Sequence, residues 1–87
     1  PDGNPLTEEG LAQAVVVKFG DTPTRVLTAE HLGAIMLQTG RPKDIARLCQ
    51  FFEFDAIERR RFQEIIERHG LIEKWESFRR RFLNETA

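Results

Sequence analysis

The chain has 87 residues, a formal net charge of −1, 40% hydrophobic and 31% charged residues, and one cysteine. This length allows one small domain at most, and the composition is too apolar for a disordered protein. The small net charge excludes a domain-wide cationic field for nucleic acid, and the lone Cys49 excludes an intrachain disulfide. With no long apolar run and no signal-peptide pattern, the sequence predicts a cytoplasmic protein without a membrane span.

The N-terminal part is predicted to form a linker, a short helix and a β-hairpin. Residues 1–6 are rich in Pro, Gly and Asn, which is typical of a linker. Thr7 is a candidate N-cap for a helix over about residues 7–13. Residues 14–19 and 24–27 are apolar or β-branched and flank a Gly-Asp-Thr-Pro turn, which predicts a hairpin. Because two strands alone are only marginally stable in water, we expect the hairpin to complete or extend a sheet supplied from elsewhere.

Four helices are predicted in the rest of the chain. Thr28 caps the first, Gly40 ends it, and Pro42 opens the second. Asp55 and Glu58 have the spacing of a capping box for the third. The fourth carries an apolar stripe at helical spacing, made of Leu71, Trp75, Phe78 and Phe82.

The predicted fold class is therefore α+β and mostly helical, with a short N-terminal helix, a β-hairpin and a four-helix C-terminal array. Residues 7–87 form a single small domain in this prediction. Residues 7–27 supply the helix and the hairpin that completes a sheet, and residues 28–87 supply the helical array.

The junction between the first two of these four helices is the most unusual stretch. Arg41, Lys43 and Asp44 stand where one helix ends and the next begins. Two cations and several free backbone N–H groups therefore meet at one helix N-terminus, which is a favourable place for a phosphate. In the alternative interpretation Arg41 and Lys43 are solvated and Asp44 stabilises its helix through the dipole. Both interpretations stay open at this point.

The remaining side chains indicate neither a catalytic centre nor a metal site. His31 and His69 have no second ligand at metal-binding spacing, and we expect both at the surface or in an interface. Cys49 lies on an apolar stripe, which predicts a buried and unreactive thiol. The arginine runs 59–61 and 79–81 are interleaved with glutamates at i, i+3 and i, i+4 distances. That pattern favours salt-bridged helix faces, with nucleic-acid binding as a weaker alternative.

The segment 24–48, TRVLTAEHLGAIMLQTGRPKDIARL, resembles the C-terminal half of nucleotidyltransferase-like proteins related to the AbiEii toxin group. It has the family's order of a strand with a short cap, a helix containing E-x-L, a G-R-x-K-D junction and a second helix. The resemblance extends over about residues 14–55. The turn at residues 68–71, together with Trp75, is similar to the family's usual tail.

The resemblance implies a polymerase-β-like fold, in which a Gly-Ser motif and paired carboxylates on an N-terminal sheet bind Mg²⁺ and a nucleoside triphosphate. The chain contains no such motif, and two-metal chemistry needs those carboxylates, so we expect no catalytic residue, metal site or cofactor in the chain itself. Arg41 and Lys43 carry over as a phosphate-facing pair, and Asp44 as the carboxylate that orients them. Met36 and Arg47 stand where the family usually has lysine and aspartate, which implies a divergent or differently acting parent.

The function expected from these observations is the substrate- or nucleotide-facing C-terminal segment of a nucleotidyltransferase-like protein, in a bacterial toxin–antitoxin or defence context, that is not catalytic alone. Its expected partners are a missing N-terminal nucleotidyltransferase segment or another protein, together with a nucleotide or RNA. The alternative is a helical protein–protein interaction or dimerisation module, for which the partner can be a second copy forming a homodimer.

Overall fold

The computed structural model describes residues 4–85, which form five helices and one hairpin. Helix α1 (Pro5–Ala12) precedes the antiparallel strands β1 (Val15–Phe19) and β2 (Thr22–Val26). Four helices follow: α2 (Ala29–Thr39), α3 (Pro42–Glu53), α4 (Arg59–Arg68) and α5 (Ile72–Phe82). The predicted α+β, mostly helical fold with its four-helix C-terminal array is confirmed. None of the helices between residues 4 and 85 has the length and apolar character needed to cross a membrane.

The first helix begins earlier than predicted, because Asn4 rather than Thr7 is its N-cap. The Asn4 side-chain oxygen accepts hydrogen bonds from the backbone N–H groups of Leu6 at 3.1 Å and Thr7 at 3.4 Å. Leu6 is fully buried in the core. Of the predicted linker over residues 1–6, residues 1–3 lie outside the described part of the chain, and the rest belongs to α1 and its cap.

The hairpin turn is shorter than predicted. Only Gly20 and Asp21 separate the paired strands, and Gly20 has a φ of 67° at the first central position, which corresponds to a type II′ turn. Pro23, predicted in the turn, lies instead in β2 opposite Lys18. A proline is tolerated there because the second pair from a two-residue turn does not exchange backbone hydrogen bonds.

The predicted start and end of α2 and the predicted start of α3 are confirmed. The Thr28 side-chain oxygen caps α2 by accepting a hydrogen bond from the backbone N–H of His31 at 3.2 Å. Gly40 ends α2 in the left-handed conformation, with a φ of 71°. Pro42 is the first residue of α3. An N–H at this position has no acceptor within the helix, so a proline there costs no hydrogen bond.

The predicted capping box before α4 is wrong. Glu58 is itself the N-cap, and its carboxylate accepts hydrogen bonds from the backbone N–H groups of Arg60 and Arg61. Asp55 lies in the preceding turn with a φ of 57°. The start of α4 is fixed from a distance, because the buried carboxylate of Glu30 on α2 accepts the backbone N–H of Glu58 at 2.7 Å.

Helix α2 is the centre of the fold, since it packs against α1, α3, α4 and α5. A Cβ atom at Gly33 on α2 would stand 2.9 Å from Cδ1 of Ile57, so the glycine permits this close packing. The buried core consists of Leu6, Ala34, Met36, Leu37, Leu48, Ile57, Phe62, Ile65, Ile66, Leu71, Trp75 and Phe78. The apolar stripe predicted for α5 is therefore buried except at Phe82, whose side chain is 45% exposed.

Candidate functional site

The three predicted phosphate-site residues lie together at the N-terminus of α3. Arg41 is the N-cap residue, and Lys43 and Asp44 belong to the first turn. Arg41 Nε donates a hydrogen bond to Asp44 Oδ2 at 2.8 Å while the Arg41 side chain stays 71% exposed. This bond raises the pKa of Arg41. Asp44 thereby holds a permanently charged guanidinium beside the start of the helix.

Backbone donors complete this arrangement. The Arg41 side chain makes no capping hydrogen bond, and Pro42 has no N–H. The N–H groups of Lys43 and Asp44 therefore have no intrahelical acceptor, and no acceptor among the described residues. An exposed guanidinium, an exposed ammonium and two backbone donors meet where the helix dipole is positive. Chemically, such an arrangement can bind a phosphate.

A groove of about 630 Å³ lies next to this helix N-terminus, between the end of α2, the start of α3 and one side of α5. Gly40 and Pro42, the two chain neighbours of Arg41, both line it. Lys74 Nζ donates a hydrogen bond to the backbone oxygen of Gln38 at 2.8 Å, which ties α5 to the end of α2. The full lining is Leu37, Thr39, Gly40, Pro42, Ile45, Glu73, Lys74, Ser77, Phe78, Arg81 and Phe82.

A second polar cluster, centred on Glu9 of α1, was missed by the sequence analysis. The Glu9 carboxylate accepts hydrogen bonds from His31 Nε2 at 2.7 Å, from His69 Nε2 at 3.0 Å and from Arg68 Nη2 at 2.6 Å. The bond from Arg68 contributes most to lowering the pKa of Glu9 to about 2; the two histidines act in the same direction, and burial opposes them.

The prediction that His31 lies at the surface or in an interface is wrong, since the residue is only 1% exposed. Burial is possible because both ring nitrogens have partners: Nε2 donates to Glu9, and Nδ1 lies 2.8 Å from Thr28 Oγ1. Glu9 stands 22 residues from His31, so helical spacing could not reveal the pair. The only local signal was the three-residue separation of Thr28 and His31, which suits a capping contact. The cluster joins α1 to α2 and to the end of α4.

The arginine runs at residues 59–61 and 79–81 also depart from expectation. Glu85 binds Arg59 at 2.8 Å and Arg79 at 3.0 Å. Among residues 4–85, no ion pair links either run to a glutamate three or four positions away. The hydrogen bond from Arg59, followed by that from Arg79, lowers the pKa of Glu85 to about 2. A single carboxylate, six positions from Arg79 and 26 from Arg59, therefore binds the first residue of each run.

The described carboxylates do not fit the Mg²⁺ that the resemblance implies for the parent. Asp44, Glu9 and Glu85 are each already hydrogen-bonded to arginine side chains. No group of three or more His, Cys, Asp or Glu within residues 4–85 is arranged to hold a metal ion.

Cys49 is half-buried, and burial together with the nearby Glu53 charge raises the pKa of its thiol. The reactive thiolate is thus disfavoured.

Two polar arrangements therefore stand out in the described chain. The start of α3 adjoins the groove of about 630 Å³, whereas the side chains of the Glu9 cluster are hydrogen-bonded to one another, and those of Glu9, His31 and Arg68 line a second pocket of about 430 Å³. In comparisons with known proteins, no family model matches the chain, and neither a curated protein nor a solved structure matches it.

Proposed function

We propose that the chain is the nucleotide- or substrate-facing C-terminal segment of a cytoplasmic nucleotidyltransferase-like protein, in which Arg41 and Lys43 bind a phosphate and Asp44 orients Arg41. The observation that carries the proposal is the first turn of α3, where two exposed cationic side chains flank two backbone donors without a cap. Charge-assisted hydrogen bonds of this kind are roughly twice as strong as neutral ones. A bacterial toxin–antitoxin or defence role belongs to the same proposal and is supported by the resemblance of segment 24–48.

The proposal assigns binding, and not catalysis, to this chain. The catalytic carboxylates that bind Mg²⁺ and a nucleoside triphosphate belong to another segment of the parent. The hairpin supports a junction with such a segment, because Val15, Val16, Val17 and Val26 are between 37% and 63% exposed. An isolated two-stranded sheet is marginally stable in water, and these valines suit a hairpin that continues into a larger sheet.

The test is a binding measurement on the parent protein. Replacing Arg41 and Lys43 with Ala should weaken nucleotide or RNA binding and leave thermal stability nearly unchanged, because exposed ion pairs contribute only about 0 to 1 kcal/mol to folding. The matched control replaces Arg60 and Arg80, which are also exposed and carry the same total charge. Equal weakening in both double variants would indicate general electrostatics and reject the proposal. Unchanged binding in both would favour the second candidate below.

The exposed hairpin favours a second candidate function, a protein-interaction or dimerisation module. In an antiparallel pair, the backbone N–H and C=O groups of every second residue point away from the partner strand. In this hairpin those residues are Val16 and Lys18 on β1, and Pro23 and Arg25 on β2. Pro23 has no N–H to donate, so only β1 has a complete outer edge. Two copies that pair β1 with β1 would leave only the blocked β2 edges outside, which closes the assembly at a dimer.

Two proline variants test this candidate. Val16→Pro removes an outward donor from β1, and Arg25→Pro removes the outward donor directly opposite on β2. If the chain dimerises through β1, sedimentation velocity should show a concentration-dependent dimer that Val16→Pro returns to monomer and Arg25→Pro does not. A chain that stays monomeric at every concentration, or a dimer that survives Val16→Pro, would reject this form of the module.

A further inference from the structure

We propose that the groove between α2, α3 and α5 is a docking site for an acidic amphipathic helix of another protein. The partner helix carries apolar side chains on the face that enters the groove and carboxylates beside them. The inference goes beyond the proposed function, because it needs neither a nucleotide nor a phosphate at Arg41 and Lys43. It also involves other elements than the hairpin.

The length of the groove suits a helix. Its α5 wall runs from Glu73 to Phe82, a rise of about 14 Å along the helix axis at 1.5 Å per residue. The end of α2 and the start of α3 form the opposite side. A partner helix of about two and a half turns spans this distance. Recognition of this kind places the apolar face of one helix in a groove between others.

The floor of the groove is apolar. Leu37 and Phe78 are each 3% exposed, Ile45 is half-buried, and Phe82 at the end of α5 is 45% exposed. All three elements around the groove are helices, so it offers no strand edge to the backbone of an extended peptide. A helix satisfies its own backbone hydrogen bonds and can fill an apolar groove with side chains alone.

The charge of the groove selects an acidic partner. Lys74 and Arg81 line it, and Glu73 is the only carboxylate among the described lining residues. Lys74 donates to the uncharged backbone oxygen of Gln38, which leaves two of its three ammonium donors for a partner. Arg81 lies 5.1 Å from the centroid of the Phe82 ring and forms no ion pair within residues 4–85.

The spacing of these two cations matches a helical partner. Lys74 and Arg81 are seven positions apart, so they lie on one side of α5 with a separation of about 10.5 Å along the axis. Two carboxylates seven positions apart on a partner helix have the same separation. Arginine and aromatic side chains are also enriched in protein–protein interfaces, and Arg81 and Phe82 supply both at the rim of this groove.

The experiment measures the binding of two fluorescein-labelled peptides of about 16 residues, a length that permits a helix. Both carry leucines at positions i, i+3, i+4 and i+7 on a background of alanine and glutamine. One has two glutamates seven positions apart beside the leucines, and the other has lysines in their place. Fluorescence anisotropy should show at least about tenfold tighter binding of the glutamate peptide, because like charges that face each other across an interface are strongly unfavourable.

Charge reversal in the groove provides the sharpest comparison. Arg81→Glu should weaken binding of the glutamate peptide about tenfold and strengthen binding of the lysine peptide, a gain that a poorly folded variant cannot produce. The matched control is Arg80→Glu, which reverses an exposed charge in the same turn of α5 but outside the groove lining. It should change either affinity by less than about twofold.

A second pair of variants tests the apolar contact. Phe82→Ala should weaken binding of both peptides about fivefold or more, as expected for an aromatic anchor of an interface. Phe54→Ala, which removes a 76% exposed ring outside the groove, should weaken neither. Far-UV circular dichroism checks that each variant is folded.

Several results would overturn the docking site. Equal affinities for the two peptides, or equal effects of Arg81→Glu and Arg80→Glu, would indicate general electrostatics. Binding of neither peptide, or displacement of the glutamate peptide by a single-stranded oligouridine as readily as by its own unlabelled form, would reject an acidic helix as the occupant. So would self-association in sedimentation velocity that Arg81→Glu abolishes, because the occupant would then be a second copy.

Discussion

Replacing Trp75 with Ala should remove the largest aromatic side chain of the core. Its side chain is 3% exposed, and its ring centroid lies 5.4 Å from that of Phe52 and 5.0 Å from that of Phe62. Truncating a buried tryptophan to alanine costs about 3 to 5 kcal/mol. At roughly 0.05 to 0.15 kcal/mol per residue, the whole chain has a stability of about 4 to 13 kcal/mol. The variant should therefore lose a large share of its stability.

Urea unfolding followed by far-UV circular dichroism measures this loss, since the variant lacks the only tryptophan of the chain. Trp75→Phe separates packing from hydrogen bonding: it keeps a ring but loses the bond from Trp75 Nε1 to Gln63 Oε1 at 3.0 Å, worth about 1 kcal/mol. Phe54→Ala at an exposed ring is the control and should change stability by less than about 0.5 kcal/mol. A loss below about 1 kcal/mol for Trp75→Ala would refute the claim that this ring docks α5 on the core.

Other perturbations test the Glu9 cluster, the cap of α1 and the absence of catalysis. The pKa of Glu9 is lowered from 4.5 to about 2, so its contribution to stability is complete above pH 4.5 and is lost as the pH falls through 2. Glu9→Gln should therefore reduce the loss of unfolding free energy at low pH, measured by urea titrations at a series of pH values, whereas Glu8→Gln should not. The same loss at low pH in the Glu9→Gln variant and in the unaltered chain would contradict the cluster's role. Asn4→Ala should cost about 1 kcal/mol through loss of the N-cap, and an unchanged unfolding midpoint would contradict that cap. The isolated chain with Mg²⁺ and a labelled nucleoside triphosphate should transfer no label to protein or RNA; transfer that a mutation in this chain abolishes would contradict the assignment of binding alone.

The sequence was sufficient for those helix boundaries that depend on near neighbours. Thr28, Gly40 and Pro42 act within one helical turn of their own positions, and their roles as cap, terminator and first residue were predicted correctly. The start of α4 was not, because Glu30 fixes the backbone of Glu58 from 28 positions away. The same limit applies to the Glu9 cluster, whose members meet only after α1 packs on the helical array.

The candidate site also has one part that the sequence predicts and one part that it does not. Arg41, Lys43 and Asp44 are contiguous with a helix start, so their placement at the α3 N-terminus could be predicted from the chain order. The adjoining groove could not, because α5 supplies one of its sides only through tertiary packing. Phe82 shows why: its helical spacing matched the buried stripe, but spacing does not reveal where the neighbouring helices end.

The most direct test of the proposed phosphate site is a titration of the chain with tripolyphosphate, followed by amide NMR spectroscopy. We expect the backbone amide signals of Lys43 and Asp44 to shift most and to saturate, because these N–H groups have no acceptor within the described structure. The shifts should disappear when Arg41 and Lys43 are replaced with Ala. Shifts spread over the arginine runs at 59–61 and 79–81, with the α3 amides unmoved, would contradict the phosphate site.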